Sequence, residues 1–388
     1  DTTAAYLALG ALARRRSSAR VVAVTGSTGK TTTCALVAQI LECGAPGRVW
    51  ATAANENNEI GVAKTLLAIP PDSAYVVIEL AARHYGEIAP LTRAAAPDVA
   101  LLTNVGDAHL EIMGSAARLA ETKWGIFATG AQAVLNVADA ISQAWAGRLS
   151  APPTWFALDD EAAGLPCIVL HGRDSVEVRA GDGGRSFPCS LRLPGEHNRR
   201  NAVAAFAAAY VLGVPAAGAA AALGTLVLPP GRYERVALDC CEAIYDAYNA
   251  SMSGALATLQ SFAAEPAKRR IAVLASMAEL GPDAAGMHAT VGSAAARSQL
   301  DALLVGGEFA RDLARGARTA GYDPARIGPF ADNAAAVEWL RAHLCPGDLV
   351  LFKGSRCYKL EEVVAALRRR DGAQGSRERD PLVHEVVS

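Results

Sequence analysis

The sequence predicts an α/β protein with a central domain on a mostly parallel sheet and a smaller Rossmann-like domain after it. First, an apolar run at residues 21–24 leads directly into a glycine-rich turn, which a helical pattern follows. Second, short apolar runs typical of buried strands alternate with Ala-rich helical stretches along most of the chain. Third, a Leu-Pro-Pro-Gly stretch at residues 228–231 separates two such series and is typical of a hinge.

The length and composition allow two or three domains and exclude several classes of protein. The chain has 388 residues, of which 51% are hydrophobic, so more than one core can form. No stretch reaches the roughly 18 uninterrupted apolar residues of a membrane span. Lys and Arg number 37 against 39 Asp and Glu, which gives a formal charge of −2 and no global electrostatic reason to bind nucleic acid. We therefore expect neither a membrane span nor a nucleic-acid partner.

The eight cysteines indicate a reducing compartment. None of them forms a Cys-x-x-Cys pair, and their spacing suits neither a structural zinc site nor a disulfide framework. We therefore expect scattered reduced thiols in a cytoplasmic enzyme.

Helical and strand patterns divide the chain into four parts. The predicted parts are a linker helix at 1–20, with its helical turns at 4–16, a central domain at 21–229, a C-terminal domain at 230–370 and a polar tail at 371–388. In the central domain, further strands are expected at 75–80, 99–102 and 133–135. In the C-terminal domain, strands are expected near 243–245, 271–274, 302–305 and 349–352.

The segment from residue 153 to residue 193 differs in character from its surroundings. Short β-prone pieces are separated there by Gly and Asp, which favours a small mixed or antiparallel β subregion. Its strands are expected at 167–170, 175–178 and 189–193. Helical patterning returns at 198–212.

The glycine-rich turn between the first strand and its helix is typical of a phosphate-binding loop. It reads Gly-Ser-Thr-Gly-Lys-Thr at residues 26–31, a shortened form of the common P-loop pattern. Glycines let backbone N–H groups approach an anion at a helix N-terminus. Lys30 can reach the β- and γ-phosphates, and the Thr31 hydroxyl can bind Mg²⁺. The central domain is therefore predicted to be a P-loop-type ATPase domain.

Two segments supply candidate oxygen and nitrogen ligands for a metal ion. Glu79 ends a predicted strand, at the edge where α/β sheets bind their ligands. His109 and Glu111 form a His-x-Glu pattern, but the downstream cysteines of a zinc deaminase are absent from the sequence. One imidazole among oxygen ligands suits Mg²⁺. Lys123 by itself reads as an ordinary lysine on a helix surface.

Motifs typical of one enzyme family occur in a consistent order from residue 1 to about residue 370. The segments are Thr-Gly-Ser-Thr-Gly-Lys-Thr at 25–31, Asn-Asn-Glu-Ile-Gly at 57–61, Glu-Leu at 79–80, Ala-His-Leu-Glu at 108–111, Lys123, Pro-Gly-Glu-His-Asn at 194–198, Asn201, Gly-Arg at 231–232, Asp-Ala-Tyr-Asn-Ala at 246–250, Met-Ala-Glu-Leu-Gly at 277–281 and Lys-Gly-Ser-Arg at 353–356. In these segments the chain resembles the Mur ligases, ATP-dependent amide-forming enzymes of peptidoglycan assembly. Within that family it resembles the MurF-type branch, which adds D-alanyl-D-alanine to a UDP-N-acetylmuramoyl-tripeptide.

The resemblance implies a role for each matching residue. The implied nucleotide-binding residues are Gly26, Ser27, Thr28, Gly29, Lys30, Thr31, Thr32, His197, Asn198, Asn201, Arg232 and Asp246. The implied ligands of two Mg²⁺ ions are Thr31, Glu79, His109 and Lys123, the last as an N-carbamate formed with CO₂. The implied catalytic residues are Lys30, His109, Lys123 and Arg232. The implied substrate-binding residues are Asn58, Tyr248, Asn249, Lys353, Ser355 and Arg356.

The chemistry implied by the resemblance is carboxylate activation followed by amide formation. A carboxylate of the acceptor attacks the γ-phosphate of ATP, and an amino acid or dipeptide amine then attacks the acyl phosphate. Two departures lie where the C-terminal domain is expected to meet the amine. Ser276 stands where the MurF-type pattern has Asp, and Ser251-Met252 stands where it has Asn-Pro.

Two alternative functions remain open from the sequence. Family members carry an N-terminal domain that binds the UDP-sugar of the acceptor, and this sequence starts where that domain would end. An amide ligase of a natural-product or cofactor pathway, with an acceptor unrelated to peptidoglycan, is therefore one alternative. A P-loop kinase or ATPase whose carboxylate motifs are incidental is the other.

Overall fold

The structure, a computed structural model, describes residues 1–106, 113–162, 165–180 and 183–368, which form two compact units. Unit 1 runs from Asp1 to Val227, and unit 2 begins at Leu228. Among these residues, no helix combines the length and the apolar character that crossing a membrane requires. The predicted ligand His109 and the predicted tail at 371–388 lie outside the described residues.

Unit 1 combines eight described α-helices with a nine-stranded sheet. The helices are α1 (Thr2–Arg16), α2 (Lys30–Gly44), α3 (Glu59–Leu67), α4 (Ile88–Ala95), α5 (Ala116–Trp124), α6 (Ala140–Trp145), α7 (Glu196–Val211) and α8 (Ala216–Ala222). The strands are β1 (Arg20–Thr25), β2 (Val49–Ala51), β3 (Tyr75–Glu79), β4 (Val99–Leu102), β5 (Gln132–Asn136), β6 (Thr154–Leu158), β7 (Cys167–His171), β8 (Ser175–Ala180) and β9 (Gly183–Pro188). The strand order is β2-β3-β1-β4-β5-β6-β7-β8-β9.

The sheet of unit 1 is parallel from β2 to β7, and the crossovers that parallel strands require place helices on its faces. Apolar residues of β1 alternate between the two faces, and all are fully buried. On one face, Val21 and Ala23 pack against Val62 of α3 and Leu91 of α4. Helix α1 packs against α3 and α4, and Arg14 Nε donates to the carbonyl oxygen of Ala95 at 3.0 Å. The first helix is therefore built into unit 1.

The predicted β subregion at 153–193 is an extension of the main sheet. Strands β6 and β7 continue its parallel order, and β8 and β9 close it as an antiparallel hairpin. The prediction of a strand at 189–193 is wrong, since β9 ends at Pro188. The amides of Cys189 and Leu191 donate to the carbonyl oxygens of Asp174 and Arg173 instead of joining a ladder. Leu191 and Leu193 are buried by packing, so this segment has the same alternation of apolar residues as a strand.

Unit 2 is a smaller α/β unit on a six-stranded sheet. Its strands are β10 (Glu234–Ala237), β11 (Glu242–Tyr245), β12 (Arg269–Ala275), β13 (Ala302–Gly306), β14 (Ile327–Phe330) and β15 (Asp348–Lys353), in the order β10-β11-β15-β12-β13-β14. Its helices are α9 (Met252–Ala263), α10 (Ala284–Arg297), α11 (Ala310–Thr319), α12 (Asn333–His343) and α13 (Leu360–Leu367). All pairs except β10–β11 are parallel, so the carboxyl ends of five strands meet at one edge. The sequence predicted the four inner strands and missed the short outer ones.

Helices α10 and α11 approach each other through two glycines. A Cβ atom built on Gly316 would lie 1.9 Å from the carbonyl oxygen of Ala289, and one on Gly292 would lie 2.0 Å from that of Leu313. We expect Gly316→Ala to destabilise unit 2 by about 1–3 kcal/mol, because the two helices would have to separate. Urea unfolding measures the change. Gly218→Ala in α8 is the control, since no atom lies within 4 Å of its added Cβ and Ala favours a helix. Equal stability of Gly316→Ala and wild type would contradict the packing described.

Candidate functional site

The loop between β1 and α2 has the backbone shape of a phosphate cradle. Gly29, at the N-terminus of α2, adopts φ +80°, which places it in the left-handed region that glycine favours. Gly26 lies so close to β4 that a Cβ atom there would stand 1.9 Å from Thr103 Oγ1. The loop leads directly into the N-terminal turn of α2, the end of a helix whose amides and dipole favour an anion.

Residues that follow β4 hold this loop in place. Thr103 Oγ1 donates to the carbonyl oxygen of Thr28 at 2.6 Å, and Asn104 Oδ1 accepts from the Thr28 amide at 3.2 Å. The amide of Gly106 donates to Ser27 Oγ at 2.9 Å. Sequence reasoning missed Thr103 and Asn104 as loop supports. Their position one strand away from β1, at the carboxyl end of β4, is the signal that could have identified them.

The predicted phosphate-binding lysine lies over the loop. Lys30 Nζ donates to the carbonyl oxygens of Gly26 and Ser27, at 2.9 and 3.3 Å. Its ammonium group is therefore held on the loop by hydrogen bonds that a phosphate oxygen could replace. Thr31 and Thr32 follow it in the first turn of α2, with Thr32 buried.

The structure brings the start of α7 to the same loop. Asn201 Oδ1 accepts from Thr33 Oγ1 at 3.3 Å, and it would lie 2.5 Å from a Cβ atom on Gly29. Asn198 is buried and donates from Nδ2 to the carbonyl oxygen of Pro194 at 2.9 Å, while His197 in the same turn is half-buried. His197, Asn198 and Asn201, the residues that the resemblance implies for nucleotide binding, thus lie in α7, and α7 packs against α2.

Glu79 lies at the carboxyl end of β3, beside Val24 of β1. Its carboxylate is buried, and Oε1 accepts from Asn57 Nδ2 at 2.7 Å. Asn58, which was predicted to bind substrate, uses its Oδ1 to cap α3 by accepting from the Gly61 amide at 3.0 Å. Asn57 therefore contacts the predicted metal ligand, and Asn58 caps the helix.

Lys123, in the last turn of α5, is almost completely buried, with 1% of its surface exposed. Burial lowers the pKa of Lys123 well below its usual value, and the ammonium group of Lys30 lowers it further. The carboxylates of Glu79 and Glu87 oppose this shift. A lower pKa favours the neutral amine, and the neutral amine is the form that CO₂ can react with. The structure therefore gives Lys123 a chemistry that its sequence context did not reveal.

The donor set of unit 1 fits Mg²⁺ better than a metal that prefers nitrogen or sulfur. Within the described ranges, no group of three or more His, Cys, Asp and Glu side chains could hold a metal ion. The hydroxyl of Thr31 and the carboxylate of Glu79 offer the few oxygen ligands that Mg²⁺ takes from a protein when phosphate oxygens and water supply the others. The remaining predicted ligand, His109, lies outside the described residues.

Unit 2 gathers several predicted site residues at the carboxyl edge of its sheet. Asp246, after β11, accepts from the Tyr233 amide at 3.1 Å and pairs with Lys353 Nζ at 2.9 Å. Lys353 Nζ also donates to the carbonyl oxygen of Asn249 at 3.0 Å. Thr258, a residue that sequence reasoning missed, donates its hydroxyl to Asp246 Oδ2. The Asp246 carboxylate therefore joins three parts of unit 2.

An aromatic ring with two guanidinium groups lies at the same edge. Arg232 Cζ is 4.3 Å from the centre of the Tyr248 ring, and Arg356 Cζ is 5.6 Å from it. Ser355 is buried, and its Oγ accepts from the Ala278 amide at 2.9 Å. Arg232, Tyr248 and Arg356 are therefore neighbours, and the roles that the resemblance implies for them and for Ser355 remain predictions.

Comparison with known proteins gives a consistent result along the chain. The sequence matches the Mur ligase middle domain over residues 24–209 and the Mur ligase glutamate ligase domain over residues 231–356. It is 37% identical over 371 residues to UDP-N-acetylmuramoyl-tripeptide–D-alanyl-D-alanine ligase of Synechocystis, a match that covers 95% of this chain and 78% of that protein. The Escherichia coli protein with the same name is 34% identical over 381 residues, with 95% and 81% covered.

Solved structures agree with the sequence comparison. MurF from Acinetobacter baumannii superposes with a TM-score of 0.80 at 27% identity and covers 95% of this chain and 80% of that one. MurF ligase from Thermotoga maritima in complex with ADP superposes with a TM-score of 0.79 at 26% identity, with 95% and 83% covered. The predicted fold class and family are thereby confirmed. The chain belongs to the Mur ligase family, in its MurF-type branch.

Proposed function

We propose that this protein is an ATP-dependent, ADP-forming ligase that joins D-alanyl-D-alanine to a UDP-N-acetylmuramoyl-tripeptide through an acyl phosphate. One observation carries the proposal: Lys30 lies on the phosphate loop after β1, and the buried carboxylate of Glu79 ends the neighbouring strand β3. This combination suits phosphoryl transfer to a carboxylate. The relatives that this chain matches over most of their length are named as UDP-N-acetylmuramoyl-tripeptide–D-alanyl-D-alanine ligases.

The first step activates the acceptor. An oxygen of the terminal tripeptide carboxylate attacks the γ-phosphorus of ATP in line, and the bond from that phosphorus to the β,γ-bridging oxygen breaks. ADP leaves with the bonding electrons, and the product is an acyl phosphate. Lys30 and the α2 amides offset the negative charge of the phosphoryl oxygens as the transferring group moves.

The second step forms the amide. The neutral amino nitrogen of the dipeptide attacks the acyl carbon, a tetrahedral intermediate forms, and its carbon–oxygen bond to phosphate breaks. Inorganic phosphate leaves, and the nitrogen loses one proton. Because an acyl phosphate hydrolyses readily, water must be excluded until the amine has reacted.

A bound Mg²⁺ ion and a carbamate on Lys123 would assist the first step. The Thr31 hydroxyl and the Glu79 carboxylate would bind Mg²⁺, which supplies positive charge to the phosphate oxygens when bound. The Lys123 amine would add to CO₂, forming a nitrogen–carbon bond and releasing one proton. The resulting carbamate carries a negative charge at a position where burial and Lys30 disfavour an ammonium group. It would orient a bound metal ion.

The products of the reaction test the proposed function. Given Mg²⁺-ATP, the tripeptide acceptor and D-alanyl-D-alanine, the protein is expected to release ADP and phosphate in equal amounts and to form one amide for each. Mass spectrometry and a phosphate assay measure these products. Omission of either substrate is the control and should stop turnover. Release of AMP with pyrophosphate, or a stable phosphorylated product as from a kinase, would rule the proposal out.

Gly29→Ala tests the phosphate loop. The new side chain would adopt a left-handed φ and displace Asn201, so we expect ATP affinity to fall by at least roughly tenfold, equivalent to about 1.4 kcal/mol. Equilibrium binding of a fluorescent ATP analogue measures the loss. Gly47→Ala is the matched control, because Gly47 has φ +68° but no atom within 4 Å of its added Cβ. Similar ATP affinity in the two variants would show that the Gly29 contact has no role.

Lys123→Ala tests the carbamate. We expect turnover to fall by roughly two to three orders of magnitude, the usual cost of losing one preorganised charge. High bicarbonate or a short carboxylate such as propionate should restore part of it by filling the space of the carbamate. Lys64→Ala is the control, because Lys64 lies exposed on α3 and pairs with Glu56. Wild-type turnover in Lys123→Ala would eliminate the carbamate from the mechanism.

A further inference from the structure

The loop that follows β12 in unit 2 is held by three consecutive backbone amides, each bound to a different element. The Ser276 amide donates to the carbonyl oxygen of Gly306 in β13 at 3.1 Å. The Met277 amide donates to His288 Nε2 in α10 at 2.8 Å. The Ala278 amide donates to Ser355 Oγ, after β15, at 2.9 Å. The start of the 276–281 loop is therefore fixed from three sides.

His288 is the side chain in this set whose hydrogen-bonding role depends on its protonation. The ring is fully buried, and Nδ1 lies 2.6 Å from the carbonyl oxygen of Ala284. A carbonyl oxygen can only accept, so Nδ1 carries the proton and Nε2 offers its lone pair to the Met277 amide. The ring also stacks on Phe309 with centroids 4.5 Å apart, and the Phe309 amide donates to Ser276 Oγ.

Burial favours the neutral form of this ring. It lowers the pKa of His288, while the bond to the Ala284 carbonyl and the carboxylates of Asp312 in α11 and Glu308, after β13, oppose the shift without reversing it. An imidazolium would donate from both nitrogens and would leave the buried Met277 amide without an acceptor. Loss of such an acceptor destabilises the loop conformation by the desolvation cost of the amide.

The remainder of the loop has a conformation that is not stable on its own. Glu279 adopts φ +61°, in the left-handed region, and Gly281 adopts φ +78°. A left-handed non-glycine residue persists only when its surroundings hold it. The anchors at the start of the loop, including the bond to His288, supply that constraint. The loop lies at the carboxyl edge of the sheet, the edge where open α/β sheets bind ligands.

We propose that His288 is a positioning residue which, as the Nδ1-protonated neutral imidazole, holds the 276–281 loop in the conformation that receives the incoming dipeptide amine. This inference rests on the proposed function, because that function assigns an amine substrate to the protein. His288 does not contact the substrate in this role. It acts through the Met277 amide, so its loss lowers the population of the competent loop and raises the apparent KM for the amine.

Kinetics of His288→Phe test the proposal, since phenylalanine keeps the stacking ring and removes the acceptor. We expect the KM for D-alanyl-D-alanine to rise roughly 5- to 150-fold, the range that corresponds to one buried amide left unpaired. The KM for ATP and the kcat at saturating dipeptide should stay near wild type. His288→Gln should restore the dipeptide KM, because its Oε1 can accept from the Met277 amide.

His343→Phe is the matched control. His343 also lies 2.7 Å from the carbonyl oxygen four residues earlier and stacks on an aromatic ring, but it is exposed and holds no loop amide. Its dipeptide KM should equal that of wild type. An unchanged dipeptide KM in His288→Phe, or a KM in His288→Gln as high as in His288→Phe, would overturn the proposal.

A measurement on the wild-type protein keeps the proposal testable if His288→Phe fails to fold. Nitrogen-15 spectra of the full chain at neutral pH should show His288 protonated at Nδ1 and unprotonated at Nε2. An Nε2-protonated tautomer or an imidazolium would refute it. Failure of the proposed function is a separate outcome, because wild-type protein would then form no amide while these spectra still report the state of His288.

Discussion

The phosphate loop of unit 1 depends on hydrogen bonds supplied by the strand next to it. A loop that turns several amides toward one anion cannot satisfy its own carbonyl and hydroxyl groups, so another element must hold it. Thr103 and Asn104, which follow β4, do this. Thr103 Oγ1 binds the carbonyl oxygen of Thr28, and Asn104 accepts from the amides of Thr28 and Ser27. The parallel register of β1 and β4, in which Thr25 pairs with Leu102, places these side chains there. The shape of the phosphate loop therefore depends on the neighbouring strand as well as on the glycines of the loop.

The same sheet also brings charged side chains to the phosphate loop. Glu79 ends β3 on one side of β1, and the buried Lys123 interacts with both Glu79 and Lys30. Burial disfavours the charged form of Lys123, and repulsion by the ammonium group of Lys30 adds to this effect. Conversion of that amine to an anion would make its interaction with Lys30 attractive. It would also place a second negative charge near Glu79, which a divalent cation between them could offset.

Unit 2 uses the same principle at the edge of its own sheet. The loop after β12 is bound by Ser355 from the loop after β15 and by His288 from α10, and its own Ser276 binds Gly306 of β13. Ser276 donates to the carbonyl oxygen of Gly306 and accepts from the Phe309 amide. The aspartate usual at this position in the MurF-type pattern would be ionised and could only accept, so it could not make both bonds. The serine thus makes one bond as a donor and one as an acceptor, a combination that an ionised carboxylate does not offer.

The sequence by itself determined the local features: the strand, loop and helix around Lys30, the division near residue 228, the inner strands and the family motifs in order. These follow from periodicity, glycine placement and residue type, which act over a few neighbouring positions. Only the tertiary structure decided the burial of Lys123, the bracing of the phosphate loop by Thr103 and the tautomer of His288. Each of these depends on contacts between different elements of the fold. The chain between residues 189 and 193 shows the same limit, because alternating apolar residues buried by packing cannot be distinguished by sequence from a strand.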